Sequence, residues 1–225
     1  MHGLAAQAPD LPAHRVEAAA FVMGLRARGI RDTGVLGAME RVPRDLFAPR
    51  RFADLARTDV SLPLPCGQTM TAPGTVGAML VALGAKRGQR VLEIGTGSGY
   101  VAALLAKLGC QVHTIERYAT LAEAAAGRFQ VAGVADAVTA AAGDGLAPAH
   151  PHGAFERILL NGALLAVPPA LTSLLAAGGR LVGALTFDGF PRLIRVERLA
   201  SGTLRQELGG SLRLSPLVAG AASAL

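Results

Sequence analysis

Three carboxylates and three glycines hold the chemistry that can be read from this chain. Glu93 lies in an apolar run and is followed closely by Gly95, Gly97 and Gly99. Glu116 ends a second apolar run, and Asp144 sits between Gly143 and Gly145 after a third. A glycine turn this tight needs left-handed backbone angles, and a ligand can approach main chain closely only where no Cβ intrudes. The carboxylates then set the charge of that ligand. Glu93 would repel a pyrophosphate and attract an ammonium group. Glu116 can accept both hydroxyls of a ribose, and Asp144 can accept from an adenine amino group. A nicotinamide dinucleotide site expects G-x-G-x-x-G. Tyr100 stands where the third glycine would be needed, so a nucleotide-dependent oxidoreductase fits poorly. S-adenosylmethionine has no phosphate and carries an ammonium beside a sulfonium, which suits the pattern.

These residues must be held at the carboxyl ends of neighbouring strands, where open α/β sheets bind their ligands. The chain from residue 90 onward supplies such strands. Apolar runs at 90–94, 111–115, 137–141, 155–160 and 180–185 read as strands. Helical spacing covers 99–108 and 119–131, and a further helix starts near Pro168 and is closed by Gly178-Gly179. The alternation predicts an α/β fold: a doubly wound, mostly parallel sheet with an N-terminal helical extension. After residue 185 the pattern changes. Segments 193–199, 203–208 and 212–215 alternate without helices and read as antiparallel strands that finish the sheet.

Ahead of the sheet, Val16, Ala20, Met23 and Ala27 mark one face of a helix over 14–28 that Gly29 can end. Asp32 or Thr33 can cap a second helix carrying Val35, Leu36 and Met39, stopped by Pro43. Residues 41–65 wind irregularly. Gly67 to Pro73 offers two hydroxyls and an amide before an apolar helix over 75–83. From the residues alone it reads as a capping loop in which Thr71 or Thr75 satisfies free backbone donors. The expected organisation is a flexible leader over 1–13, an extension packed on the core over 14–73, and the cofactor-binding core over 74–225.

Composition narrows the class. At 225 residues and 51% hydrophobic, with no tryptophan, the chain builds one large core from Ala, Leu and Val. The net charge of +6 is almost wholly arginine, since Lys86 and Lys107 are the only lysines. The arginines are scattered and not interleaved with aromatics, so nucleic-acid binding is not expected. Cys66 and Cys110 lie far apart in no metal-like spacing, which fits a reducing compartment and no metal. No apolar run reaches the ~20 residues that span a bilayer. A cytoplasmic protein without membrane partners, monomeric or weakly dimeric, is expected, with His113, His150 and His152 structural or at the surface.

The chain resembles the protein-L-isoaspartate (D-aspartate) O-methyltransferases over about residues 21–220. The likeness rests on Arg28 to Asp32, Val42-Pro43-Arg44, Leu62-Pro63 and Gly67-Gln68-Thr69. It continues through Val91 to Tyr100, Thr114 to Arg117, Gly143-Asp144-Gly145, Gly178 to Val182 and Pro216-Leu217. The resemblance implies methyl transfer from S-adenosylmethionine to the carboxylate of isoaspartyl residues in damaged proteins and peptides. The ester then closes to a succinimide. It also implies a seven-stranded, Rossmann-like sheet of the S-adenosylmethionine-dependent methyltransferase type, with one antiparallel strand. It extends the cofactor set to Thr69, Thr96, Ser98, Arg117 and Gly145, and assigns Thr71 as the catalytic hydroxyl. Asn161, Gly162 and Ala163 become the substrate wall beside Thr71. Such chemistry needs no general base, because a carboxylate with a pKa near ~4 is already ionised at neutral pH.

Departures fall in the acceptor half. Thr71 replaces the family's usual serine, Pro65-Cys66 replaces a pair that usually contains glycine, and Glu156 stands where the family favours aspartate. Asn161-Gly162-Ala163-Leu164-Leu165 replaces Thr-Ala-Ala-Ala-Pro. Two other readings follow from that drift: a methyltransferase for another carboxylate, small molecule or dedicated peptide, and a cofactor-binding protein without turnover.

Overall fold

The structure, a computed structural model, describes residues 11–147 and 153–222. Most of the expected leader, His150 and His152 lie outside the described residues. The first helix, α1 (Leu11–Ala27), begins within the stretch expected to be leader. Its packing face is not the expected one. Val16 and Met23 are 69% and 63% exposed, while Leu25 is buried and Phe21 and Val22 pack on the core. The helix has two apolar stripes, and the one carrying the larger Phe21 and Leu25 buries more area. In α2 (Thr33–Arg41), Asp32 is the cap: its Oδ1 accepts from the Val35 N–H at 2.9 Å.

The irregular segment that follows is organised by a buried cation. Arg44 is 2% exposed. Its guanidinium donates to the carbonyls of Ala56 (2.9 Å), Val60 (3.0 Å) and Thr71 (3.1 Å). One planar fork thereby gathers three loop carbonyls that no strand or helix would satisfy. Burial pushes its pKa down to about 10, with Tyr100 and Asp59 opposing, so it stays charged at neutral pH. A two-residue ladder pairs β1 (Leu62–Pro63) with β2 (Thr69–Met70) and folds the glycine-containing turn between them. Helix α3 (Pro73–Leu83) has no side-chain cap from Thr71 or Thr75. Asp59 instead reaches across, its Oδ1 accepting from the Gly74 N–H at 2.7 Å. That frees the Thr71 side chain for another partner.

The main sheet follows the alternation closely. Its strands are β3 (Arg90–Ile94), β4 (Gln111–Glu116), β5 (Val138–Ala142), β6 (Phe155–Leu164), β7 (Leu175–Phe187), β8 (Phe190–Arg198) and β9 (Leu204–Ser211), joined by α4 (Tyr100–Lys107), α5 (Ala119–Val131) and α6 (Pro169–Ser173). Their order is β5-β4-β3-β6-β7-β8-β9. β3, β4, β5, β6 and β7 pair in parallel, and β8 is antiparallel to both β7 and β9. β8 is thus the one strand running against the rest, as the resemblance implied. The chain steps from β3 outward to β5 and then returns to the other side of β3 with β6. The carboxyl ends of β3 and β6 therefore diverge and leave a crevice. Alternate side chains feed two cores: Val91, Leu159 and Val182 join α2, α3 and α4 on one face, and Leu92, Ile158, Leu160 and Leu181 pack on the other.

Two expectations in the C-terminal half are corrected. The helix near Pro168 is only five residues long and ends at Ser173, after which β7 starts at once. Gly178, at φ +72°, therefore sits within the strand instead of closing a helix. The third terminal strand is absent. Residues 212–218 leave the sheet and turn back over its carboxyl edge, where Ala163 N–H donates to Ser215 O (2.9 Å) and Leu217 N–H donates to Ala163 O (2.8 Å). Gly162 makes this docking possible, because a Cβ there would meet Leu217 Cγ at 2.6 Å.

β3 also buries a carboxyl group. Glu93 is fully buried, with Thr114 Oγ1 donating to its Oε2 at 2.6 Å and Thr96 Oγ1 2.6 Å from the Thr114 hydroxyl. Among the described residues its Oε1 has no hydrogen-bond partner. Burial raises its pKa to about 8, and Glu116 adds to the rise while the Thr114 hydrogen bond opposes it. The folded chain therefore holds a proton that the unfolded chain loses near ~4.3. Stability should fall as pH rises between those two values, by up to ~1.4 kcal/mol per unit, and level off above the upper one. Urea unfolding between pH 5 and 9 tests this: Glu93→Gln should gain on the wild type as pH rises. Parallel profiles would show that Glu93 is ionised in the folded protein.

Candidate active site

A cavity of about 510 Å³ occupies the crevice at the carboxyl ends of β3, β4 and β6, within the size range of small-molecule sites. Of the residues singled out from sequence, it is lined by Thr69, Thr71, Gly95, Gly97, Glu116, Arg117, Asp144, Gly145 and Asn161. Glu93, Thr96, Ser98, Gly99, Gly162 and Ala163 stand behind that wall. For Glu93 the reason is strand parity: Ile94, one residue on, faces the cavity, so Glu93 faces the helical layer. The carboxyl supports the glycine loop from behind through Thr114 and Thr96 and presents no surface to a ligand.

At one end the glycine loop is held by Glu116. Oε2 accepts from the Gly97 N–H at 2.8 Å and Oε1 from the Tyr118 N–H at 3.1 Å. Each oxygen keeps a lone pair for a ribose hydroxyl. Asp144 uses Oδ1 for the Leu146 N–H at 2.9 Å, which leaves Oδ2 for an amino group. Ile94, Ile115 and Leu146 give the apolar walls that a purine ring needs. Gly95, Gly97 and Gly99 all take positive φ, at +92°, +53° and +89°. The last has a packing reason as well, since a Cβ at Gly99 would meet Phe129 at 2.8 Å. Tyr100, where a dinucleotide loop would place glycine, is buried against Phe47 at 5.6 Å between ring centroids.

The loop's hydrogen bonds decide between ligand classes. Gly95 N–H donates to Ile115 O (2.9 Å), Gly97 N–H to Glu116 (2.8 Å) and Gly99 N–H to Thr96 O (2.9 Å). All three glycine N–H groups are committed within the protein, so none of them is offered to a phosphate. Glu116 and Asp144 beside the apolar walls are the acceptors that a cationic nucleoside such as S-adenosylmethionine needs, and Arg117 and Arg213 line the same cavity.

The other end is built from three distant segments. Thr71 Oγ1 donates to Asn161 Oδ1 at 3.2 Å, and Asn161 Nδ2 donates to Gly95 O at 3.0 Å. Arg44 holds the Thr71 carbonyl from below. Over the top run residues 212–218, with Phe190 and Pro191 beside them. Gly162 and Ala163 thus serve as the anchor of that C-terminal strap. Sequence reasoning placed neither Arg44 nor residues 212–218 in the site. The one available signal for Arg44 was an arginine directly after Val42-Pro43. Cys66, in the turn before Gly67, adopts φ +59°, a conformation that glycine takes without strain. Such a conformation costs of order 1–3 kcal/mol for a residue with a Cβ. His113, on β4, packs edge-on against Phe155 at 5.7 Å and is half-buried in the sheet.

Known proteins are similar to the chain over most of its length. The family model for protein-L-isoaspartate(D-aspartate) O-methyltransferase matches residues 16–222. The protein-L-isoaspartate O-methyltransferase of Xanthobacter autotrophicus is 45% identical over 212 residues, covering 94% of this chain and 96% of the relative. That of Azorhizobium caulinodans is 43% identical over 219 residues, covering 96% and 99%. Among solved structures, a protein-L-isoaspartate O-methyltransferase from Plasmodium falciparum, in complex with S-adenosyl-L-homocysteine, has a TM-score of 0.78. It is 20% identical, and the match covers 91% of this chain and 98% of that one, so it bears on the fold. By sequence over nearly its whole length, the chain belongs to the protein-L-isoaspartate(D-aspartate) O-methyltransferase family.

Proposed function

We propose that this protein is an S-adenosylmethionine-dependent carboxyl methyltransferase. Its substrates are L-isoaspartyl, and D-aspartyl, residues of damaged proteins, and it starts their repair through a succinimide. The observation that supports this most strongly is the pairing of family membership with one cavity that joins two chemically different ends. Glu116 and Asp144 suit a ribose and an adenine, and Thr71 and Asn161 face the place left for an acceptor. S-adenosylmethionine supplies an electrophilic methyl group on a sulfonium and leaves as the neutral thioether. The protein's residues have to align and exclude water. Alignment can account for as much as ~7–11 kcal/mol of barrier lowering. The strap over 212–218 and the Arg44-held loop confine the acceptor end, and the aliphatic side chains of Leu214 and Leu217 on the strap help keep it dry.

The acceptor carboxylate is ionised at neutral pH, so the lack of a paired acid and base at this end is consistent with the reading. Glu93 acts on the loop's shape. The cytoplasm, where damaged proteins accumulate and thiols such as Cys66 and Cys110 stay reduced, is the proposed location.

Two experiments test this. Incubation with an isoaspartyl peptide and methyl-labelled cofactor should release base-labile label as methanol, and the matching aspartyl peptide should give none. Binding of S-adenosylhomocysteine without isoaspartyl turnover would favour a different carboxylate acceptor, the reading that the replaced Thr71 and Asn161 would then support. Asp144→Ala should weaken S-adenosylhomocysteine binding by ~1–3 kcal/mol, measured by calorimetry. Unchanged affinity would place the adenine elsewhere.

A further inference from the structure

Hydrogen-bond accounting at the acceptor end assigns roles that the residue types alone do not. Asn161 Nδ2 lies 3.0 Å from Gly95 O, a carbonyl that can only accept. That contact fixes which end of the amide is nitrogen. Oδ1 must then be the atom 3.2 Å from Thr71 Oγ1. Because an amide oxygen can only accept, the Thr71 hydroxyl is the donor there, and its single proton is spent. What Thr71 has left are lone pairs, which repel a carboxylate. Asn161 Nδ2 carries two protons and has used one. Asn161 lines the cavity, and its second N–H has no bond among the described residues.

We infer that the Asn161 amide N–H is a side-chain donor to the acceptor carboxylate, with Thr71 as a positioning residue that fixes the amide's orientation. This rests on the proposed isoaspartyl carboxyl methylation. The chain of bonds then has a function. Arg44 holds the Thr71 carbonyl, Thr71 orients Asn161, and Asn161 is tied to the Gly95 carbonyl of the cofactor loop. The acceptor is thereby indexed to the loop that positions the methyl donor. A displacement of the amide by a fraction of an ångström would shift carboxylate and methyl carbon out of line.

Thr71→Val keeps the shape and removes the hydroxyl, leaving Asn161 bonded to Gly95. Asn161→Asp keeps the shape and removes both N–H groups, the one on the Gly95 carbonyl included. Steady-state methylation of an isoaspartyl peptide and calorimetry with S-adenosylhomocysteine separate their roles. Asn161→Asp should lower kcat/KM at least about 100-fold, mostly through KM for the peptide, with S-adenosylhomocysteine affinity within about five-fold. Thr71→Val should cost less than about ten-fold. A pH profile adds a readout that lost packing would not move. The Asn161→Asp side chain regains a donor when protonated, so its deficit should shrink between pH 8 and pH 5. A larger loss in Thr71→Val than in Asn161→Asp, or a deficit in Asn161→Asp that does not change with pH, overturns the assignment while leaving the isoaspartyl reading intact. Wild-type protein that binds S-adenosylhomocysteine but leaves the isoaspartyl peptide unmethylated overturns both.

Discussion

A single amide, that of Asn161, spans the crevice where the sheet's strand order reverses. Its nitrogen is bound to the Gly95 carbonyl at the end of β3, and its oxygen accepts from Thr71 in a segment 90 residues earlier. β6 carries it there because β6 lies next to β3 in the sheet. Without that neighbour relation the glycine loop and the irregular N-terminal segment would have no common wall. Both the cavity and the anchoring of residues 212–218 at Ala163 follow from the same stretch of β6.

The three carboxylates at the strand ends look equivalent as residues and are not equivalent as groups. Glu116 is bound to two backbone N–H groups and keeps lone pairs toward the cavity. Asp144 commits one oxygen to its own turn. Glu93 is enclosed, and burial raises its pKa to about 8, so it serves the loop's rigidity at neutral pH and not the cofactor's charge. The distinction comes from strand parity and from the Thr114 hydroxyl opposite it in the β3–β4 register. The glycines likewise bind their N–H groups inward. Their N–H groups are therefore not offered to a phosphate, and Tyr100 fills the place of a dinucleotide loop's third glycine.

Much of the fold was legible because βα alternation writes two periods into the chain. β3, β4 and β5, with α4 and α5 between them, fall within about a residue of where apolar runs and helical spacing put them. The failures share a cause: each was decided by tertiary contacts that leave no period. Helix α1 carries two apolar stripes, and only the neighbours decide that Leu25 is buried and Met23 exposed. Residues 212–218 alternate like a strand, yet find their partners at Ala163 instead of at a sheet edge. In the site, the carboxylates and glycines were readable because their chemistry is local to a turn. Arg44 was not, since an arginine at 2% exposure differs from a surface one only by the three distant carbonyls it gathers. The Thr71 hydroxyl read as a helix cap for the same reason. Asp59, remote in sequence, takes that duty.

A crystal structure of the protein with S-adenosylhomocysteine and an isoaspartyl peptide tests the central claim most directly. The account predicts the ribose hydroxyls on Glu116, the adenine amino group at Asp144 Oδ2, and the isoaspartyl carboxylate within hydrogen-bond distance of Asn161 Nδ2. A nucleoside seated away from Glu116, or a carboxylate held by Thr71 Oγ1 with the Asn161 amide turned away, would contradict it.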